Sequence, residues 1–117
     1  MNTIWLVGIW VSLATMAAPQ PVSLWEGLPP GESIRSRGEP LPKRAMEDPP
    51  ATRITRITEP TLELFQPPPQ KRNGLMVVIL PGGGFNYVVV DKEGSEIAAW
   101  LNSRGITAGV LRYRTKN

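Results

Sequence analysis

The chain is 117 residues long, enough for one small domain and too short for two. It holds no cysteine and no histidine, which excludes a disulfide framework, a thiol nucleophile, any Ser-His-Asp triad and the most frequent metal ligand. A net charge of +3 is spread over scattered pairs such as Lys43-Arg44 and Lys71-Arg72, without the basic stripe that nucleic acid would require.

From the N-terminus, "IWLVGIWVSLATMAA" is an uncharged apolar stretch whose core, Ile4 to Leu13, is too short for the roughly 20 residues of a membrane span. Its size is that of a signal-peptide core, with cleavage after Ala17 or Ala18. A leader over residues 1–18 and a secreted or periplasmic location are the expectation. Twelve of the 13 prolines then fall between residues 19 and 69. Residues 19–50 therefore read as an extended arm with little regular structure, pinned to a folded body by Leu24 and Trp25.

Residues 51–117 read as the domain. "RITRIT" (53–58) and "TLELF" (61–65) alternate with period two around Glu59-Pro60, which predicts a short β-hairpin. "LMVVIL" (75–80) is a continuous apolar run bounded by Gly74 and Pro81, the pattern of a strand covered on both faces. Between Asp91 and Ser103, Ile97, Ala98 and Leu101 share one helical face with Trp100 beside them. Asp91 or Ser95 is positioned to cap that helix and Gly105 to end it. "ITAGVLRY" (106–113) supplies a second strand. Strand, loop, helix and strand form a βαβ unit, and the fold class is α/β.

Three consecutive glycines, Gly82, Gly83 and Gly84, followed by Phe85, end the apolar strand. A P-loop would need Lys and Ser/Thr after its glycines, and a dinucleotide fingerprint a third glycine where Asn86 and Tyr87 stand. The remaining chemistry is a site of backbone N–H groups for developing negative charge. In acyl transfer each such donor lowers the barrier by about 3–4 kcal/mol.

Pro81-Gly82-Gly83-Gly84-Phe85 after an apolar strand resembles the oxyanion loop of α/β-hydrolase esterases. It is most similar to the branch of secreted acetyl-xylan and other carbohydrate esterases. "LWEGLPPGE", "ITEPTLELFQP" and "DKEGSEIAAWLNSRGITAGVLRYR" extend the likeness from about Leu24 to Arg114, with Lys92 where that branch commonly carries histidine. The resemblance implies an N-terminal α/β-hydrolase portion, a β-hairpin followed by a parallel strand–helix–strand unit. It implies Gly83 and Gly84 as oxyanion donors, Gly82 as the turn and Phe85 as a pocket wall, acting on an ester or acylated carbohydrate without cofactor or metal.

The catalytic elements of that family are not in the sequence. There is no G-x-S-x-G, and Ser95 in "EGSEI" has no strand before it to form an elbow. The expectation is a truncated hydrolase, inactive alone, with no complete catalytic set. The alternative is a non-catalytic secreted binding or assembly module, and in either case uncovered strands favour self-association.

Overall fold

The computed structural model describes residues 18–116, so the expected leader lies outside the described residues apart from Ala18. The described elements are β1 (Pro21–Ser23), β2 (Arg37–Pro40), β3 (Arg53–Ile57), β4 (Thr61–Phe65), β5 (Met76–Ile79), β6 (Val88–Val89), α1 (Glu96–Ser103) and β7 (Thr107–Arg112). A 3-10 turn spans Pro69–Lys71 and a π-helical turn, Asp91–Ser95, leads into α1. The strands build a four-stranded sheet in the order β1-β4-β7-β5 and a three-stranded sheet in the order β2-β3-β6. The fold is a small α/β-type domain.

The strand–helix–strand unit is present. β5 runs parallel to β7 with Met76 opposite Thr107 and Ile79 opposite Val110, and α1 lies between them in the chain. Ala98 and Leu101 of α1 pack on Ala108 and Val110 of β7, with Phe65, Ile79 and Ile106 around them. This is the main core, and each fully buried aliphatic side chain in it contributes about 1.5–3 kcal/mol. The helical face is narrower than its sequence pattern, since Ile97 and Trp100 are exposed. Gly105, at φ +78°, closes the helix. Its amide donates to Asn102 O at 3.0 Å and that of Ile106 to Leu101 O at 3.1 Å, a Schellman pattern. Neither Asp91 nor Ser95 caps the start through its side chain. Asp91 instead accepts from the Thr52 amide at 2.7 Å and so ties the helix entry to the segment before β3.

The predicted hairpin does not form. β3 pairs with β2 and β6, whereas β4 pairs with β1 and β7. The reason lies at Thr58–Pro60, which carries the chain from one sheet to the other. The amides of Thr58 and Glu59 both donate to Ser36 O, at 3.0 and 2.9 Å, and Pro60 O accepts from the Leu24 amide at 3.2 Å. The segment before the domain thus takes the hydrogen bonds that a hairpin partner would have used. Residues 21–23 and 37–40, expected as irregular arm, are strands for the same reason. They run along sheet edges, where proline is tolerated.

β5 departs from expectation in its cover. Met76, Val77 and Val78 are 40–49% exposed, because the strand has one partner and α1 covers one face of the sheet. On the other face Leu62 and Met76 close over Gly109, each within 3.0 Å of where its Cβ would stand.

The two sheets are also joined near the end of the described chain. Thr115 is buried, its hydroxyl accepts from the Ile57 amide at 2.9 Å, and its own amide donates to Ile57 O at 3.1 Å. Thr115→Val keeps the shape and orphans a buried N–H, and is expected to lower stability by about 1–3 kcal/mol. Thr115→Ser should stay close to the parent, both read by urea unfolding.

Candidate functional site

The glycine-rich segment follows β5 directly and precedes β6. Asn86 N–H donates to Gly83 O at 3.0 Å, closing a four-residue turn whose central residues, Gly84 and Phe85, have φ of +58° and +61°. Two successive positive φ values mark a type I′ turn. Glycine takes them readily, whereas an aromatic residue in the left-handed region costs on the order of 1–2 kcal/mol. Gly83, at φ +147°, is constrained further, since a Cβ there would overlap the Tyr87 carbonyl. Gly84 has room for one, its nearest neighbour being Asn86 Nδ2 at 3.8 Å.

The loop is held almost entirely through its carbonyls. Tyr113 Oη donates to Pro81 O at 2.7 Å and lies 3.3 Å from Tyr87 O. Gly82 O accepts from the Val89 amide, Gly83 O from Asn86, Phe85 O from the Lys116 amide at 2.7 Å, and Asn86 O from the Thr55 hydroxyl at 2.7 Å. Of the amides from Gly82 to Phe85, only Gly82's has a partner among the described residues, Glu93 Oε2 at 2.7 Å. The amides of Gly83, Gly84 and Phe85 have no acceptor among the described residues.

Gly83 and Gly84, the donors that the resemblance implies, both lie in this segment, and the Phe85 amide follows them. Gly82 is more than a turn, because its N–H and the space a Cβ would fill are both taken by Glu93. Two supporting residues were not singled out. Tyr113 follows β7 directly in the "YR" pair, and burial, then Glu93 and Tyr87, push its phenol upward, so it stays a donor. Glu93 sits in the π-helical turn and brings negative charge to the loop's rim.

Phe85 stands edge-on to Tyr113, ring centroids 5.5 Å apart at 63°. Both line a cleft of about 430 Å³ with Leu24, Trp25 and Leu111, and Arg114 at its border. Beneath the loop, Arg44 donates to the Tyr87 hydroxyl at 3.1 Å and Arg53 grips Glu47 through both nitrogens at 2.6 and 2.9 Å. Hydrogen bonding from Arg53 and the Ala51 amide holds the Glu47 carboxyl down at about 2. Lys92, at the position where the resembled branch has histidine, donates to Pro49 O and faces the arm rather than the loop.

Ser23 donates to Glu59 Oε1 at 2.6 Å. That hydrogen bond, opposed by burial and helped by Arg35 and Arg37, holds the Glu59 carboxyl below its ordinary range, so it is a poor base and the pair is structural. Among the described residues no cluster of three or more acidic side chains could hold a metal ion. Comparisons with protein-family models, curated proteins and solved structures found no match to this chain.

The loop geometry separates two substitutions that look alike. Gly83→Ala forces the turn away from Tyr87 and should displace the backbone resonances of residues 82–88. Gly84→Ala should keep that pattern and cost about 1 kcal/mol for its positive φ. Amide NMR spectra and thermal unfolding of the two variants distinguish them.

Proposed function

We propose that Gly82–Phe85 is a backbone-amide site for a carbonyl oxygen, and that the chain is related to the secreted carbohydrate-esterase-like α/β-hydrolases. The observation that carries this reading is the asymmetry of the loop, whose carbonyls are bound internally while three successive amides have no partner among the described residues. Donors fixed in advance stabilise charge that develops on an oxygen at no cost of reorganisation. The Glu93 carboxylate beside Gly82 disfavours a resident anion and suits a neutral ester carbonyl that becomes negative only in passing.

With no histidine and no G-x-S-x-G in the sequence, these residues bind the carbonyl of an ester or acylated carbohydrate without turning it over. The apolar N-terminal stretch, of signal-peptide size, supports a secreted or periplasmic setting for that binding. Titration with methyl acetate, a neutral ester, should shift the Gly83, Gly84 and Phe85 amide resonances, and Glu93→Gln should let the acetate anion shift them as well by removing the rim charge. Unmoved amides in both proteins would sink the reading. Hydrolysis of p-nitrophenyl acetate is expected at the buffer rate.

A second reading, a binding or assembly module, is favoured by the open edge of β5. Met76–Ile79 presents unpaired backbone groups and apolar side chains with no charged residue in the strand, the features that promote strand-to-strand association. Sedimentation velocity should show concentration-dependent self-association, reduced by Val78→Lys, since a charge on an edge strand opposes pairing. A monomer at every concentration would remove this reading and leave the loop proposal intact.

A further inference from the structure

We propose that Lys43-Arg44 is a processing site for a protease that reads paired basic residues, and that the chain, once cut after Arg44, stays together as a two-chain molecule. The reaction is hydrolysis of the bond between the Arg44 carbonyl carbon and the Ala45 nitrogen. Water supplies a hydroxyl to the carbon and a hydrogen to the nitrogen. One proton then passes between the new ends, leaving Arg44 a carboxylate and Ala45 an ammonium.

The sequence holds this dipeptide twice, at Lys43-Arg44 and at Lys71-Arg72, and the fold treats the two differently. Lys71-Arg72 is exposed but pinned. The Lys71 amide donates to Pro68 O at 2.9 Å, Arg72 Nε to Pro67 O at 2.9 Å, and the nitrogen of the bond that would be cut, that of Asn73, to Gly105 O at 2.9 Å. A protease takes its substrate as an extended strand hydrogen-bonded along the cleft, and this segment has its backbone groups engaged already.

Lys43-Arg44 lies in the connection from β2 to β3. Residues 41–46 are all exposed, and Met46 at the turn stands fully in solvent. Leu41 is the last residue whose amide is tied to the sheet, through Arg53 O at 2.8 Å; among the described residues no hydrogen bond joins the backbone of residues 42–46 to the rest of the domain. Pro40, Pro42, Pro49 and Pro50 flank the pair and lack the amide donors that would draw the loop into the sheet. The one hold on the pair is the Arg44 side chain, which rests on Tyr87 and donates to its hydroxyl at 3.1 Å. Exposed loop tips of this kind are where chains are preferentially nicked, and the two adjacent cations fit a protease whose subsites are acidic.

The cut leaves the fold's cross-links in place. β1 remains paired with β4 and β2 with β3. Ser36 O keeps the Thr58 and Glu59 amides, and Ser23, Arg35 and Arg37 keep the Glu59 carboxylate. Leu24 and Trp25, which wall the cleft beside Phe85, then belong to a separate peptide held without a covalent bond.

The test is digestion of the full chain with trace trypsin, followed by mass spectrometry. The first cut should fall after Arg44, roughly a hundredfold faster than after Arg72, whose bond is reached only by local opening. A protease specific for paired basic residues should make the same cut and lose it in Lys43→Gln, which trypsin still cuts; Arg44→Gln should resist both there. On a native sizing column the cut protein should elute with the intact chain and separate into two fragments only in denaturant. In protein recovered from its own host, a second N-terminus at Ala45 is expected. A first cut after Arg72, a paired-basic protease that leaves the parent whole, fragments that part on the native column, or host protein with the Arg44–Ala45 bond intact throughout would each overturn the proposal.

Discussion

The arrangement of this molecule hangs on a corner of three residues, Thr58 to Pro60, at which the chain leaves one sheet and enters the other. Glu59 is almost fully buried there. Its carboxylate accepts from Ser23 and faces Arg35 and Arg37, each with a nitrogen 3.5 Å away. A buried carboxylate is tolerated only when its oxygens are satisfied, and here the partners all come from the proline-rich segment. That one ionised side chain therefore binds the N-terminal segment to the point where both sheets meet. β1 can lie beside β4 and β2 beside β3 because the corner holds their shared origin in place. Thr58 adds to the same knot, its hydroxyl accepting from the Ser36 amide and donating to Ile34 O.

The corner also explains what could and could not be seen in advance. "LMVVIL", the helix over Ala98 and Leu101, and "ITAGVLRY" were legible because each carries its own periodicity and its own stop signals, Pro81 and Gly105 among them. These are local properties, and they survive in the parallel pairing of β5 with β7. The hairpin failed because Glu59-Pro60 has the composition of a turn, and alternation alone says nothing about which strand a strand will meet. Register and partner were decided by residues 21–23 and 37–40, whose prolines suggested irregular chain. Proline forbids a central position in a sheet but not an edge. The cover on β5 was overestimated because an apolar run reports preference for burial, not the presence of a second layer.

The loop was legible by composition, since three glycines before an aromatic residue have few uses. Its supports were less so. Tyr113 lies 26 residues from Tyr87, and only folding brings its hydroxyl to the loop's two ends. Glu93 stands one residue from Lys92, and the π-helical turn decides which of them meets the loop. Trp25 showed as an anchor for the arm, yet its place among Phe85, Leu111 and Tyr113 depends on the strand pairing that the sequence did not disclose.

The way the loop is fastened has a further consequence. A peptide unit is a dipole, and fixing it by its oxygen leaves its hydrogen end facing out. From Pro81 to Tyr87 nearly every carbonyl is tied inward, so the outer surface carries a small electropositive field with no lysine or arginine as its source. Such a field has no ionisable group as its source. A patch of this kind favours oxygen lone pairs through orientation alone, and its strength is set by how firmly the carbonyls behind it are tied.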